Sequence, residues 1–115
     1  MDEIIALLKT GRRRLTEGGW IQGAFEAGGK YCSLGSIRAV PHVFLNARTG
    51  EFAVYWAARN ALHATLEKRD QLPAHDDLGF GGSVAWWNDR PERTKEEVIQ
   101  LFDETIERLE RGSAD

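Results

Sequence analysis

The sequence predicts an α+β fold, mostly helical, in which three principal helices pack with a small antiparallel β-hairpin. Three observations carry this. Apolar residues recur at helical spacing in three separate stretches. A glycine pair lies between two short runs of strand-compatible residues, which is a hairpin signal. The chain has 115 residues, enough for one modest core and too few for two. Residues 1–111 are expected to form a single globular domain and 112–115 a frayed tail.

The first helix is read from Ile4, Ile5, Leu8 and Leu15, which share one side, with Leu7 close to it. Asp2 is its expected N-cap, and Gly18-Gly19 its stop. Gly11 should weaken its middle, by about 1 kcal/mol relative to alanine. The runs Trp20–Phe25 and Lys30–Leu34 are expected as the two strands, with Glu26-Ala27-Gly28-Gly29 between them. A short helix from Ser33 to Val40, capped by Ser33 or Ser36, ends before Pro41. Residues 41–50 read as loop, and Thr49 as the cap of the next helix. Phe52, Tyr55, Trp56, Leu62 and Leu66 form its apolar face, which runs to about Lys68. Residues 70–82 hold Pro73, Asp76-Asp77, Gly79 and Gly81-Gly82, a loop composition. Residues 83–89 fit a short helix capped by Ser83, or a strand. Thr94-Lys95-Glu96-Glu97 is a capping box, and Val98, Leu101, Phe102, Ile106 and Leu109 mark the last helix.

Charge narrows the function classes. Lysine and arginine total 15 against 18 acidic residues, a net charge of -3. Broad attraction to nucleic acid is not expected from that balance. One cysteine excludes an internal disulfide. No run approaches the ~20 apolar residues of a membrane span, and the acidic start does not resemble a signal peptide. The expected location is the cytoplasm. No Gly-Lys-Ser/Thr phosphate loop occurs, and the chain is too short for a dinucleotide fold, so no cofactor is implied.

Three sequence pieces stand out in order along the chain: Gly19-Trp20-Ile21-Gln22-Gly23-Ala24, then Cys32-Ser33-Leu34-Gly35-Ser36, then Trp87-Asn88-Asp89 followed by Arg93-Thr94-Lys95-Glu96-Glu97-Val98. This set resembles a family of small uncharacterised proteins of actinobacteria and their phages. The resemblance covers most of the chain, and least the stretch 41–80. It implies a cytoplasmic protein and raises a phage origin. The family carries no assigned activity, so the resemblance supplies no mechanism.

The candidate site residues each have a functional and a structural reading. Cys32, with Gln22, a histidine and Asn88 or Asp89, has the ingredients of a thiol-hydrolase site. A free cysteine is more often a small buried hydrophobe. His42, His63 and His75-Asp76 suggest a divalent metal, but their spacing fits no tight metal pattern, and none lies in the three motifs. Arg12-Arg13-Arg14 is a basic patch that suits phosphate; it also suits a solvated helix end.

Of the four tryptophans, Trp20, Trp86 and Trp87 are binding candidates, while Trp56 is expected in the core. Adjacent Trp86 and Trp87 cannot point the same way, so one should be buried and the other offered to a partner. Gln22, Asn88 and Asp89 could line a small-ligand site, or hold turns by bonding backbone.

The leading expectation is a small non-enzymatic protein-interaction or regulatory protein, acting on a host factor if phage-encoded. The alternative is a small ligand-binding domain or thiol-dependent enzyme centred on Gln22, Cys32, Asn88 and Asp89. A protein partner is expected, nucleic acid and membrane are not, and a homodimer would cover any leftover apolar face.

Overall fold

A computed structural model describes residues 2–38, 50–72 and 82–112. Among them are five helices and one two-stranded hairpin: α1 (Asp2–Glu17), β1 (Glu26–Ala27), β2 (Lys30–Tyr31), α2 (Ser33–Arg38), α3 (Gly50–Lys68), α4 (Gly82–Asn88) and α5 (Lys95–Glu110). The mostly helical α+β expectation holds. The three long helices are the three expected ones. Thr49, the loop 41–49, His42, and the stretch 73–81 with His75, Asp76 and Asp77 lie outside the described residues.

Helix α1 packs against α2, α3 and α5, and α3 against α5. Leu8 and Leu15 are fully buried on α1, as are Leu62 and Leu66 on α3 and Val98, Leu101 and Phe102 on α5. Burying a side chain of this size is worth roughly 1.5–3 kcal/mol, so this three-helix seam dominates the fold. A pair of buried hydroxyls crosses it: Thr65 Oγ1 and Thr105 Oγ1 are 2.8 Å apart, and Arg108 donates to Thr65 at 2.7 Å.

Gly11 does not break α1. A Cβ there would sit 2.8 Å from Ile37 Cγ2, 2.9 Å from Ser36 Oγ and 3.0 Å from the Phe102 ring. The missing side chain lets α1 approach α2 and α5, and packing outweighs propensity. Asp2 is the first residue of the helix rather than its cap.

The hairpin is smaller than expected and displaced along the chain. Residues 20–25 form no strand beyond a bridge between Trp20 and Tyr31, while Glu26 and Ala27 are themselves the first strand. Gly28 and Gly29 make the turn at φ 59° and 83°, as their freedom at positive φ suggests. Ser33 and Leu34 enter α2 instead of extending the second strand. Ser33 does not cap α2; Cys32 stands before it and accepts from the Gly35 amide at 3.2 Å, the position of an N-cap acceptor.

Trp56 is the other correction. It is 42% exposed, whereas Tyr55, Ala58, Leu62 and Leu66 are buried. At ~100° per residue, Trp56 lies about 120° around the helix from Leu62. The sequence spacing placed two adjacent aromatics on one face when only Tyr55 belongs there.

Ser83 lies inside the first turn of α4, not before it. The capping box forms as expected: Glu97 N donates to Thr94 Oγ1 at 3.2 Å, and Thr94 N to Glu97 Oε1 at 2.9 Å.

Candidate functional site

The three motifs meet at Asn88. This residue ends α4 and is fully buried. Its side-chain oxygen accepts from Trp20 Nε1 at 2.8 Å, Ser33 N at 2.9 Å and Ser33 Oγ at 2.7 Å. Its side-chain nitrogen donates to Ile21 O at 3.3 Å and Asp89 Oδ1 at 3.0 Å. One amide therefore satisfies a tryptophan, the amide that opens α2, and the chain between α1 and the hairpin. A buried amide needs such partners, because leaving its atoms unpaired costs roughly 1–3 kcal/mol each.

Gln22 and Asp89 extend the network at the surface. Gln22 Nε2 donates to Asn88 O at 3.0 Å, at the end of α4, and to Arg90 O at 2.7 Å, a carbonyl that also accepts from Arg93 N at 3.0 Å. Asp89 Oδ1 also accepts from Gly23 N at 3.1 Å, and Gly23 holds φ 79° there. Arg93 Nε donates to Trp87 O at 2.9 Å, and its guanidinium stacks 4.0 Å from the Trp87 ring. Arg93 also pairs with Glu97 at 3.5 Å, which joins the network to the cap of α5.

The Cys32 segment closes the same network from the other side. Cys32 N donates to Phe25 O at 3.2 Å. Gly35 lies so close to that carbonyl that any Cβ would collide with it. Leu34 is buried, and Ser36 Oγ bonds back to Ser33 O at 2.8 Å. Burial pushes the Cys32 thiol above its ordinary pKa, more than the nearby backbone amides lower it. A nucleophilic thiol needs the opposite shift.

Gln22, Cys32, Asn88, Asp89, Trp20 and Trp87 are thus brought together, but as a hydrogen-bonded clasp. The side-chain amides of Gln22 and Asn88, which a ligand would need, are engaged with the chain's own backbone and side chains. No described histidine joins them: His63 bonds to Ser83 on the opposite end of α4. Trp87 is 1% exposed and Trp86 is half-buried, the division their adjacency requires. The Arg90 guanidinium lies 4.5 Å from the Trp86 ring.

The basic run does not form one patch. Arg12 pairs with Asp103 on α5, Arg14 donates to Ser36 O at 3.0 Å, and Arg13 is exposed. Sequence reasoning missed the aromatic–cation pair on the outer side of α3, where the Arg59 guanidinium sits 5.6 Å from the Trp56 ring. The three-residue spacing of Trp56 and Arg59 was its only signal. An open groove elsewhere, between α3 and α5, is lined by Arg69, Asp103, Glu104 and Arg108. Its charges serve each other, with Arg69 bonding Glu104 at 2.8 Å.

Among the described residues no three His, Cys, Asp or Glu side chains gather as a metal site. No described helix is long and apolar enough to cross a membrane. No curated protein matches the chain, and neither does any solved structure. The sequence profile of the family of unknown function DUF6197 matches residues 1–108, nearly the whole chain, and the protein belongs to that family.

Proposed function

We propose that the protein is a small interaction or regulatory module that docks a partner protein through the outer side of α3. The observation that supports this is Trp56, the large apolar residue left 42% exposed among the described residues, with Arg59 beside it. Trp86 on α4 and Arg90 just beyond it repeat the combination. Tryptophan and arginine are the side chains most enriched where binding energy concentrates. Their pairing suits a partner segment that carries carboxylates beside apolar residues. Under the family resemblance, a phage-borne copy would act on a host protein, in the cytoplasm. The clasp around Asn88 then serves to hold α4 in place.

A photo-crosslinking amino acid at exposed Ala53, one turn from Trp56 on α3, compared with one at exposed Glu92, tests this. The expected result is a discrete protein adduct from position 53, competed away by excess unlabelled protein but not by its Trp56→Ala variant. Equal or absent adducts at both positions would overturn it.

A further inference from the structure

The two tryptophan–arginine pairs, far apart in sequence, adjoin on the surface. The Arg59 guanidinium lies 5.6 Å from the Trp56 ring. It also rests against Gly82, the first residue of α4, where an added Cβ would come 2.5 Å from Nη2. Gly82 holds φ 70°, so glycine both permits the turn and leaves room for the cation. Trp86 follows Gly82 by four residues, one helical turn or about 6 Å along the axis, and so shares its side of α4. That side is the outer one: Gly82, Ala85 and Trp86 are partly exposed, whereas Ser83, Val84, Trp87 and Asn88 are buried. The Arg90 guanidinium lies over the Trp86 ring at 4.5 Å. Indole, guanidinium, indole and guanidinium thus follow one another across two helices, with Gly82 as the joint.

Charge shows what this strip lacks. Arg12, Arg69, Arg93 and Arg111 each pair with an acidic side chain of the chain itself. Among the described residues, Arg59 and Arg90 have no such partner. Arg59 Nη1 donates to the neutral side chain of Asn60 at 3.1 Å, and Arg90 Nε is buried without a hydrogen-bond partner. A guanidinium held against an indole is oriented but not neutralised, and its fork of donors matches a carboxylate.

We propose that the strip from Trp56 to Arg90 is one binding surface for a linear acidic segment of a partner protein. Carboxylates of the segment pair with Arg59 and Arg90, and its apolar side chains cover Trp56 and Trp86. Six extended residues span about 20 Å, enough to engage both pairs at once. The proposal rests on the docking reading above. It adds that the surface crosses from α3 to α4 and that its occupant is short, linear and acidic.

A library of random dodecapeptides displayed on phage, panned against the whole protein, tests this. The expected result is enrichment of peptides that carry aspartate or glutamate beside leucine, isoleucine or phenylalanine. Such a peptide, titrated into isotope-labelled protein, should move the indole N–H signals of Trp56 and Trp86 along one binding curve and leave buried Trp87 in place. Arg59→Gln and Arg90→Gln should each weaken binding by about tenfold. The Trp20 and Trp87 indole signals report that each variant keeps its fold. Loss confined to Arg59→Gln, with the Trp86 signal unmoved, would overturn the two-helix surface and leave docking on α3 standing. Enrichment of basic or uncharged peptides, or of none, would overturn the acidic occupant. Movement of both signals with protein concentration alone would assign the strip to a second copy of the chain, and overturn it likewise. In each case the adduct from position 53 still decides the docking reading by itself.

Discussion

Cys32 shows how a residue's surroundings decide its chemistry. Its thiol sits in the core, with its sulfur accepting from the Gly35 amide. Burial raises its pKa above the ordinary 9.0 and raises that of Tyr55 from 10.0 to about 12. In both cases the charged form is disfavoured in the folded state. Below the unfolded values both groups are protonated folded or unfolded, and stability is undiminished. As pH rises past 9, the unfolded thiol ionises first and stability falls; Tyr55 adds a loss between 10 and about 12. Urea midpoints measured across that range should fall. Cys32→Ala should flatten the earlier part of the decline, and Tyr55→Phe the later part. The same burial predicts slow alkylation of Cys32 in the native protein and fast alkylation in urea. The residue identities of the clasp were legible in the sequence, since Trp20, Gln22, Cys32, Asn88 and Asp89 stood out as polar or aromatic groups among glycines. Their roles were not, because a pocket and a backbone clasp use the same side chains. Only the distances, such as Gln22 to two carbonyls, separate them.

At the scale of elements, glycines and caps carry the specificity. Gly35 faces the Phe25 carbonyl, and a backbone group cannot rotate aside as a side chain can. Gly35→Ala should therefore cost at least about 3 kcal/mol. Gly11 is a milder case. Alanine there gains ~1 kcal/mol of helix propensity but meets Ile37, Ser36 and Phe102 at 2.8–3.0 Å, all within the buried seam. A net loss of about 1 kcal/mol is expected for Gly11→Ala, and a gain in stability would show that the seam relaxes. Thr94→Ala removes one half of the capping box and should cost about 1 kcal/mol, read as a urea midpoint. Elements with strong local signals were legible: α5 from its box and stripe, α1 from its stripe and glycine stop. The hairpin was not placed correctly, because only four of its residues pair as strand. Its position is set by contacts with Asn88, which lies more than fifty residues away in sequence. Trp56 was misplaced for a related reason: two adjacent aromatics fit one apolar stripe only if the stripe is wider than the neighbours of α3 allow.

Across the whole molecule, the long-helix seam and the Asn88 clasp divide the work of folding. The helices α1, α3 and α5 supply buried apolar area. The chain from Gly19 to Cys32 has little regular structure and few ladder bonds, so its position depends on side chains that reach α4. This makes the three motifs, far apart in sequence, a single structural unit, while Trp56 on α3 stands outside it and exposed. The measurement that tests this most directly is urea denaturation of Asn88→Ala beside Trp56→Ala. Asn88→Ala leaves Trp20 Nε1, Ser33 N and Ser33 Oγ without their acceptor, and should lose about 3 kcal/mol. Trp56→Ala should lose less, about 1 kcal/mol, the worth of its edge-to-face contact with Tyr55. A wild-type midpoint for Asn88→Ala would contradict the clasp and return Asn88 to the role of a ligand-binding residue.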